Sequence, residues 1–428
     1  MREMKNSMER WIGEIPFSWK VLRGKAILTL LERPVRDDDG IITCFRDGEV
    51  TLRSKRREDG FTMSDKEIGY QGIEPGDLVV HGMDGFAGSI GISDSRGKAT
   101  PVLNVMDSTQ NKKYLMYFLR TMAYNGVFLS LSTGIRVRSC DTNWNKLKTI
   151  MCLVPPLPEQ QRITNFLDRK GADIDNVLLK TKTSIEEYRK LKQSIITEAV
   201  TKGVRGTRPM KDSGIEWANS VPSDWEVKRI KWCVDSFSKG NGITKDEVFV
   251  DGDMPCIRYG EIYSKYGNSF SECVSATKLD IQSSPQYVTN GNILCAATGE
   301  LVEEIGKGTV YVGNAPCIAG GDIIIIRHKQ NPVFLNYVLN SSYAQAQKSC
   351  KKTKLKVVHI SASDIGDVLI ALPSVEEQQE IALYLDQKCS EIDSLIASKE
   401  KFITELESYK KSLIYEYVTG KKEVPAEA

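Results

Sequence analysis

The residues of this chain best suited to chemistry are cations grouped in loops. Arg53-Ser54-Lys55-Arg56-Arg57 follows a predicted strand, and Arg136 and Arg138 lie in a polar stretch that starts at Ser130. In the second half, Lys348, Lys351, Lys352, Lys354 and Lys356 occupy the place aligned with that stretch. Cations of this kind suit phosphate oxygens, and arginine also carries the paired donors that read base edges. Arg258 and Tyr259 form either a further reading loop or a packed turn, and His81, behind the strand Leu78-Val79-Val80, is a candidate donor to a base or a phosphate whose alternative is a local hydrogen bond at the strand end. A solvated charged face is the competing explanation for any one cluster. Basic loops at equivalent places in both halves favour polyanion binding.

Patterns that would make the chain an enzyme are missing. An adenine methyltransferase needs an Asn/Asp-Pro-Pro-Tyr/Phe loop, and the nearest run, Asn331-Pro332-Val333-Phe334, lacks the second proline and opens a predicted helix. A phosphate-binding loop fails at Gly97-Lys98-Ala99, where the Ser/Thr is absent and Ile92 stands at the required glycine. His81, His328 and His359 have no ligand spacing, and the ten cysteines are scattered without a C-x-x-C pair. The thiols therefore read as small buried hydrophobes in a reducing compartment. No catalytic residue and no metal site are expected.

Composition narrows the partners. With 58 basic and 56 acidic residues among 428, the chain has no global pull towards a polyanion, so any such site must be local. No stretch approaches the ~20 apolar residues that span a bilayer. A cytoplasmic protein with no membrane partner is expected.

The elements that must position these loops are written twice. Pro155 to Gly203 returns as Pro373 to Lys421 with an offset of 218 residues, pairing Gln160-Gln161 with Gln378-Gln379, Leu167-Asp168 with Leu385-Asp386 and Ile174-Asp175 with Ile392-Asp393. An earlier echo, Trp11-x-x-x-Ile15-Pro16-x-x-Trp19, returns as Trp217-x-x-x-Val221-Pro222-x-x-Trp225 at an offset of 206. The second half has therefore gained a net twelve residues in its middle. Matched frames around differing middles imply one scaffold presenting two recognition surfaces.

Within the longer echo, apolar residues recur three, four and seven apart. Ile163, Leu167, Ile174, Leu178 and Ile185 mark one helical stripe, and Ile381, Leu385, Ile392, Ile396 and Ile403 mark its copy. Some 44 residues at 1.5 Å each give ~65 Å, which suits a coiled-coil spacer. The two helices are expected to pack on each other by these stripes. Prolines at Val154-Pro155-Pro156-Leu157-Pro158 and Leu372-Pro373 introduce them, and Glu159, Glu376 and Glu377 complement their N-termini. The predicted order is a globular domain over 1–155, a helix over 156–203, a second globular domain over 204–372 and a second helix over 373–428. The fold class is α+β: two mixed globular domains joined by two long helices in an antiparallel coiled coil.

These residues carry a resemblance. Pro155-Pro156-Leu157-Pro158-Glu159-Gln160-Gln161 with its helix, and the opening Asp212-Ser213-Gly214-Ile215-Glu216-Trp217 to Trp225, resemble the specificity subunit of type I restriction-modification systems over essentially the whole chain. The resemblance implies two target recognition domains, each reading half of a split double-stranded DNA sequence. It implies helices whose length sets the half-site spacing, and pseudo-twofold symmetry that lets one chain bind two modification subunits. S-adenosylmethionine, ATP and Mg are then expected on those methyltransferase subunits and on restriction/translocase subunits, with no cofactor on this chain. One departure, Pro373-Ser374-Val375-Glu376 for Pro155-Pro156-Leu157-Pro158, implies that the two junctions differ in geometry. The alternatives are a coiled-coil interaction scaffold that does not bind DNA, and a stand-alone endonuclease.

Overall fold

The apolar run Leu78-Val79-Val80 is buried throughout because a covered strand has no solvent face to alternate towards. Leu78 and Val80 enter one core with Met106 and Phe118, whereas Val79 enters another with Ile42, Ile73 and Val105. The computed structural model describes residues 2–56, 68–131, 142–215, 218–350 and 358–425. Two units emerge from it: Met1–Lys182 with Glu400–Ala428, and Thr183–Lys399.

In the first unit, eight strands form the frame: β1 (Leu28–Leu30), β2 (Ile42–Cys44), β3 (Val50–Leu52), β4 (Gln71–Ile73), β5 (Leu78–His81), β6 (Ile90–Ile92), β7 (Gly97–Ala99) and β8 (Leu103–Ser108). One sheet runs β1-β8-β5-β6. Facing it are the antiparallel pairs β2-β3 and β7-β4, linked by a parallel bridge from Ile41 to Lys98. Helix α1 (Lys112–Tyr124) covers the first sheet with Tyr114, Leu115, Phe118, Leu119 and Met122. Asn111 starts it by accepting the Tyr114 amide at 3.1 Å.

The second unit repeats this frame with β9 (Val234–Lys239), β10 (Met254–Ile257), β11 (Ser275–Thr277), β12 (Tyr287–Val288), β13 (Ile293–Ala296), β14 (Gly308–Tyr311), β15 (Cys317–Ala319) and β16 (Ile323–His328). Its main sheet orders β9-β16-β13-β14, with Ser269–Phe270 added at the edge, and its second sheet orders β11-β10-β15-β12. Strand for strand this is the first unit's plan. The isoleucines of β16 divide in the same manner: Ile324 and Ile326 join one core, Ile323 and Ile325 the other. Asn331 and Pro332 open a helix, as predicted, and the asparagine accepts the Phe334 amide at 2.9 Å.

Segments inserted into the two frames differ. Between β2 and β3 the first unit has a tight turn, where the second unit has Arg258 to Val274 with helix α3 (Tyr259–Ser264). Between β3 and β4 the first unit carries the basic run and the longer connection.

The long helices are α2 (Leu157–Lys202, 46 residues) and α4 (Val375–Val418, 44 residues). Each begins in one unit and ends in the other. In the first unit, early α2 meets late α4: the Phe166 and Tyr417 rings lie 4.5 Å apart and Lys410 donates to both Asp175 oxygens at 2.6 and 2.7 Å. In the second unit, late α2 meets early α4, and Lys192 bonds Asp393 at 2.7 and 2.6 Å, 218 residues from the first pair's partners. The helices therefore pair antiparallel within each unit. Ile163, Leu167, Ile174, Leu178, Ile185, Ile381, Leu385 and Ile392 are buried, while Ile396 and Ile403 are half-buried. Gly203 and Gly420 end the two repeats at φ +78° and +71°, a left-handed turn that glycine adopts without strain.

Candidate nucleic-acid interface

The β2–β3 turn gathers the first unit's cations. Gly48 stands at φ +88°, a left-handed conformation that glycine adopts without strain, and a Cβ there would displace the Arg120 guanidinium. Arg120 donates to the Asp47 carbonyl at 3.0 Å and to the Ile90 carbonyl at 2.7 Å. The basic run follows β3 as the one-turn helix Arg53–Arg56. Arg53 donates to Thr43 Oγ1 at 2.9 Å, and burial pushes its pKa down. Lys55 reaches Ser95 Oγ at 2.6 Å and Asp94 at 3.4 Å. Arg56 lies 4.0 Å over the Phe45 ring and pairs with Asp47 and Glu49, each at 2.7 Å. Burial would raise the Asp47 pKa, but hydrogen bonds from Arg56 and the Glu49 amide bring it net below its usual value. The described part of this basic run is thus engaged with the protein's own oxygens. Exposed pairs of this kind contribute about 0–1 kcal/mol, little enough for a polyanion to displace. Arg57, Arg136 and Arg138 lie outside the described residues.

His81 ends β5 and its Nδ1 accepts the amides of Met83 and Asp84 at 3.2 and 3.0 Å. Burial pushes its pKa down, consistent with a neutral ring holding that turn. The turn presents Asp84, which pairs with Arg46 at 3.0 Å.

In the second unit, Arg258 ends β10 and Tyr259 opens α3. The buried Glu261 carboxylate accepts the Arg258 amide at 3.0 Å, its Nε at 3.1 Å and the Ser275 hydroxyl at 2.6 Å. This orients the Arg258 side chain beside a half-exposed Tyr259. Lys348, grouped above with the second basic loop, is not a surface cation. It is buried and donates to the Gly306 carbonyl at 2.8 Å, because the helix Ser342–Ser349 turns that side chain into the core. Lys351, Lys352, Lys354 and Lys356 lie outside the described residues.

Each frame is fastened to its long helix by the motif that revealed the repeat. Trp19 Nε1 donates to Glu159 and Trp225 Nε1 to Glu377, both at 3.1 Å. Arg2 and Arg208 close the same two carboxylates at 2.6 Å. Gln160 accepts the Asn111 amide and Gln378 the Asn331 amide, both at 2.9 Å, and each returns a bond to the proline carbonyl before its helix. Tyr117 and Tyr337 donate to Asp168 and Asp386 at 2.8 Å. The junctions share these bonds although Ser374 replaces Pro156, its hydroxyl accepting the Glu377 amide, and they differ in how deeply the two glutamates are buried.

Arg46 was missed in the sequence, although a third echo marks it. Asp39-Gly40-x-x-x-Cys44-x-Arg46-x-Gly48-Glu49 returns as Asp251-Gly252-x-x-x-Cys256-x-Arg258-x-Gly260-Glu261 at an offset of 212, between the two offsets already seen. Among the described residues, no group of three or more His, Cys, Asp or Glu is placed to hold a metal ion, and no helix is long and apolar enough to cross a membrane. Seven of the nine described cysteines are buried, while Cys273 is half-buried and Cys350 exposed.

The duplicated two-sheet frame fastened to paired long helices defines a class of modular α+β proteins, and comparison with known proteins places it. Residues 222–408 match the family model of the type I restriction modification DNA specificity domain. The chain is 29% identical over 274 residues to the type I restriction enzyme MjaVIII specificity subunit of Methanocaldococcus jannaschii, covering 63% of this chain and 61% of that protein. It is 25% identical over 447 aligned positions to the putative MjaX specificity subunit of the same organism, covering 97% and 96%. A chain solved in work on complex assembly and conformational transition of the type I R-M system shares the fold, with a TM-score of 0.70, 16% identity and coverage of 95% and 99%. By these matches the chain is similar to the specificity subunits of type I restriction-modification systems.

Proposed function

We propose that this chain is the non-catalytic DNA-specificity subunit of a type I restriction-modification complex. Each unit reads one half of a split duplex target, and the chain recruits two modification subunits that methylate adenine together with restriction/translocase subunits. S-adenosylmethionine, ATP and Mg belong to those partners. The observation that carries this reading is one eight-strand frame built twice, with differing segments inserted between β2 and β4 and between β10 and β12. A shared frame holds both surfaces in the same way, and the inserts let each meet a different base sequence.

The test is affinity capture of the tagged chain from its own cells, with and without nuclease, followed by mass spectrometry. An adenine methyltransferase that stays bound after DNA removal is the expected result, and methylome sequencing then reads the split target. Failure to recover a methyltransferase would overturn the proposal. The internal pairing of Lys55 and Arg56 favours a second reading, a scaffold indifferent to DNA. That reading predicts a captured complex with no affinity for duplex DNA.

A further inference from the structure

Arg46 and Arg258 end equivalent strands, β2 and β10, yet the chain leaves those strands differently: a tight turn into β3 in one unit, helix α3 in the other. Their carboxylate partners differ as well. Arg46 Nη2 pairs with Asp84, from the turn after β5, at 3.0 Å. Arg258 Nε pairs with Glu261, on its own helix, at 3.1 Å. Glu49, the counterpart of Glu261 in the echo, pairs with Arg56 instead. An internal salt bridge that mattered for its own sake would retain both partners together. Here the arginine recurs and the partner changes, so the recurring feature is a guanidinium at the strand end. The Arg46 side chain is 62% exposed and that of Arg258 31%. Among the described residues, the side-chain bonds involve only one nitrogen of each guanidinium, which leaves donors for an external acceptor.

A residue common to two surfaces with different inserts cannot encode what differs between two half-sites. It suits what they share, the phosphodiester backbone. We propose that Arg46 and Arg258 are phosphate contacts, one per half-site, which seat each unit on the duplex without reading bases. This rests on the specificity-subunit reading and changes the role of Arg258 from base reader to positioning contact.

The experiment uses the full chain with its co-purifying subunits and a library of random-sequence duplexes. Wild-type selection defines the target, after which affinities for that target and for an unrelated duplex are measured over a salt titration. Arg46→Ala and Arg258→Ala are each expected to bind both duplexes about ten-fold more weakly. Each should lower the slope of log affinity against log salt by about 1 while selecting the same sequence. Arg46→Lys and Arg258→Lys should retain the slope. Relaxed preference at one base pair would make the arginine a base reader and overturn the proposal. Unchanged affinity and slope with a lowered melting temperature would make it structural and overturn the proposal as well. If the wild-type complex enriches no sequence, the specificity reading itself falls and this assignment falls with it.

Discussion

Lys348 and Arg46 show how little a side chain's charge alone says about its place. Lys348 sits in a lysine-rich stretch yet is buried, and burial lowers its pKa from 10.5 to about 8. The unfolded chain holds that proton more readily than the folded one. Carrying the charge therefore costs stability fully below pH 8, and the cost fades as pH rises from 8 towards the ordinary lysine value. Lys348→Met should raise stability at pH 7 by about 1–3 kcal/mol, after loss of the bond to the Gly306 carbonyl is counted. Its advantage over wild type should shrink between pH 8 and 10 in urea unfolding. A destabilised variant at pH 7 would show that the hydrogen bond outweighs desolvation. Arg46 is the converse case: its neighbour in sequence, Asp47, bonds Arg56, and its own partner, Asp84, arrives from a turn 38 residues away.

The long helices succeed as elements because their N-termini are clamped into the frames, and the two clamps differ in depth. The Glu377 side chain is 2% exposed and its Arg208 partner 14%, against 13% and 25% for Glu159 and Arg2. Removing one member of a buried pair leaves the other uncompensated. Glu377→Ala should cost about 3–5 kcal/mol, and Glu159→Ala clearly less, in parallel thermal denaturation; equal losses would contradict the difference in burial. The two long helices were legible in the sequence to within two residues of their starts at 157 and 375, because an ungapped echo with a proline before it marks one repeated local structure; the Gln160 and Gln378 contacts were not. The two-sheet frame was not. Strands of three or four residues carry too little periodicity to reveal which sheet they join, and the continuous runs in β5 and β16 look alike on both faces.

For the whole molecule, separate units reading separate half-sites make an asymmetric prediction. Replacing Arg53, Arg56 and Arg57 together by alanine should weaken protection of one half-site in footprinting and leave the other intact. Equal loss at both would argue against division of labour between the units. The candidate interface was only partly visible beforehand. Arg53, Lys55, Arg56, Arg258 and Tyr259 do lie at the inserted segments of the frames, but their ion pairs and orientation depend on Asp94, Glu49 and Ser275, which the fold brings from other strands and loops.

Duplication, the two long helices, most of their buried stripes and the absence of recognised catalytic motifs followed from the sequence, because spacing and repetition are properties of the chain read in order; the second helix ends at Val418, short of the expected 428. Only the tertiary structure decided that Lys348 is a core residue, that His81 holds a turn, and that Arg46 and Arg258 pair with different carboxylates. Burial and pairing depend on which distant segments meet, and sequence order does not record those meetings.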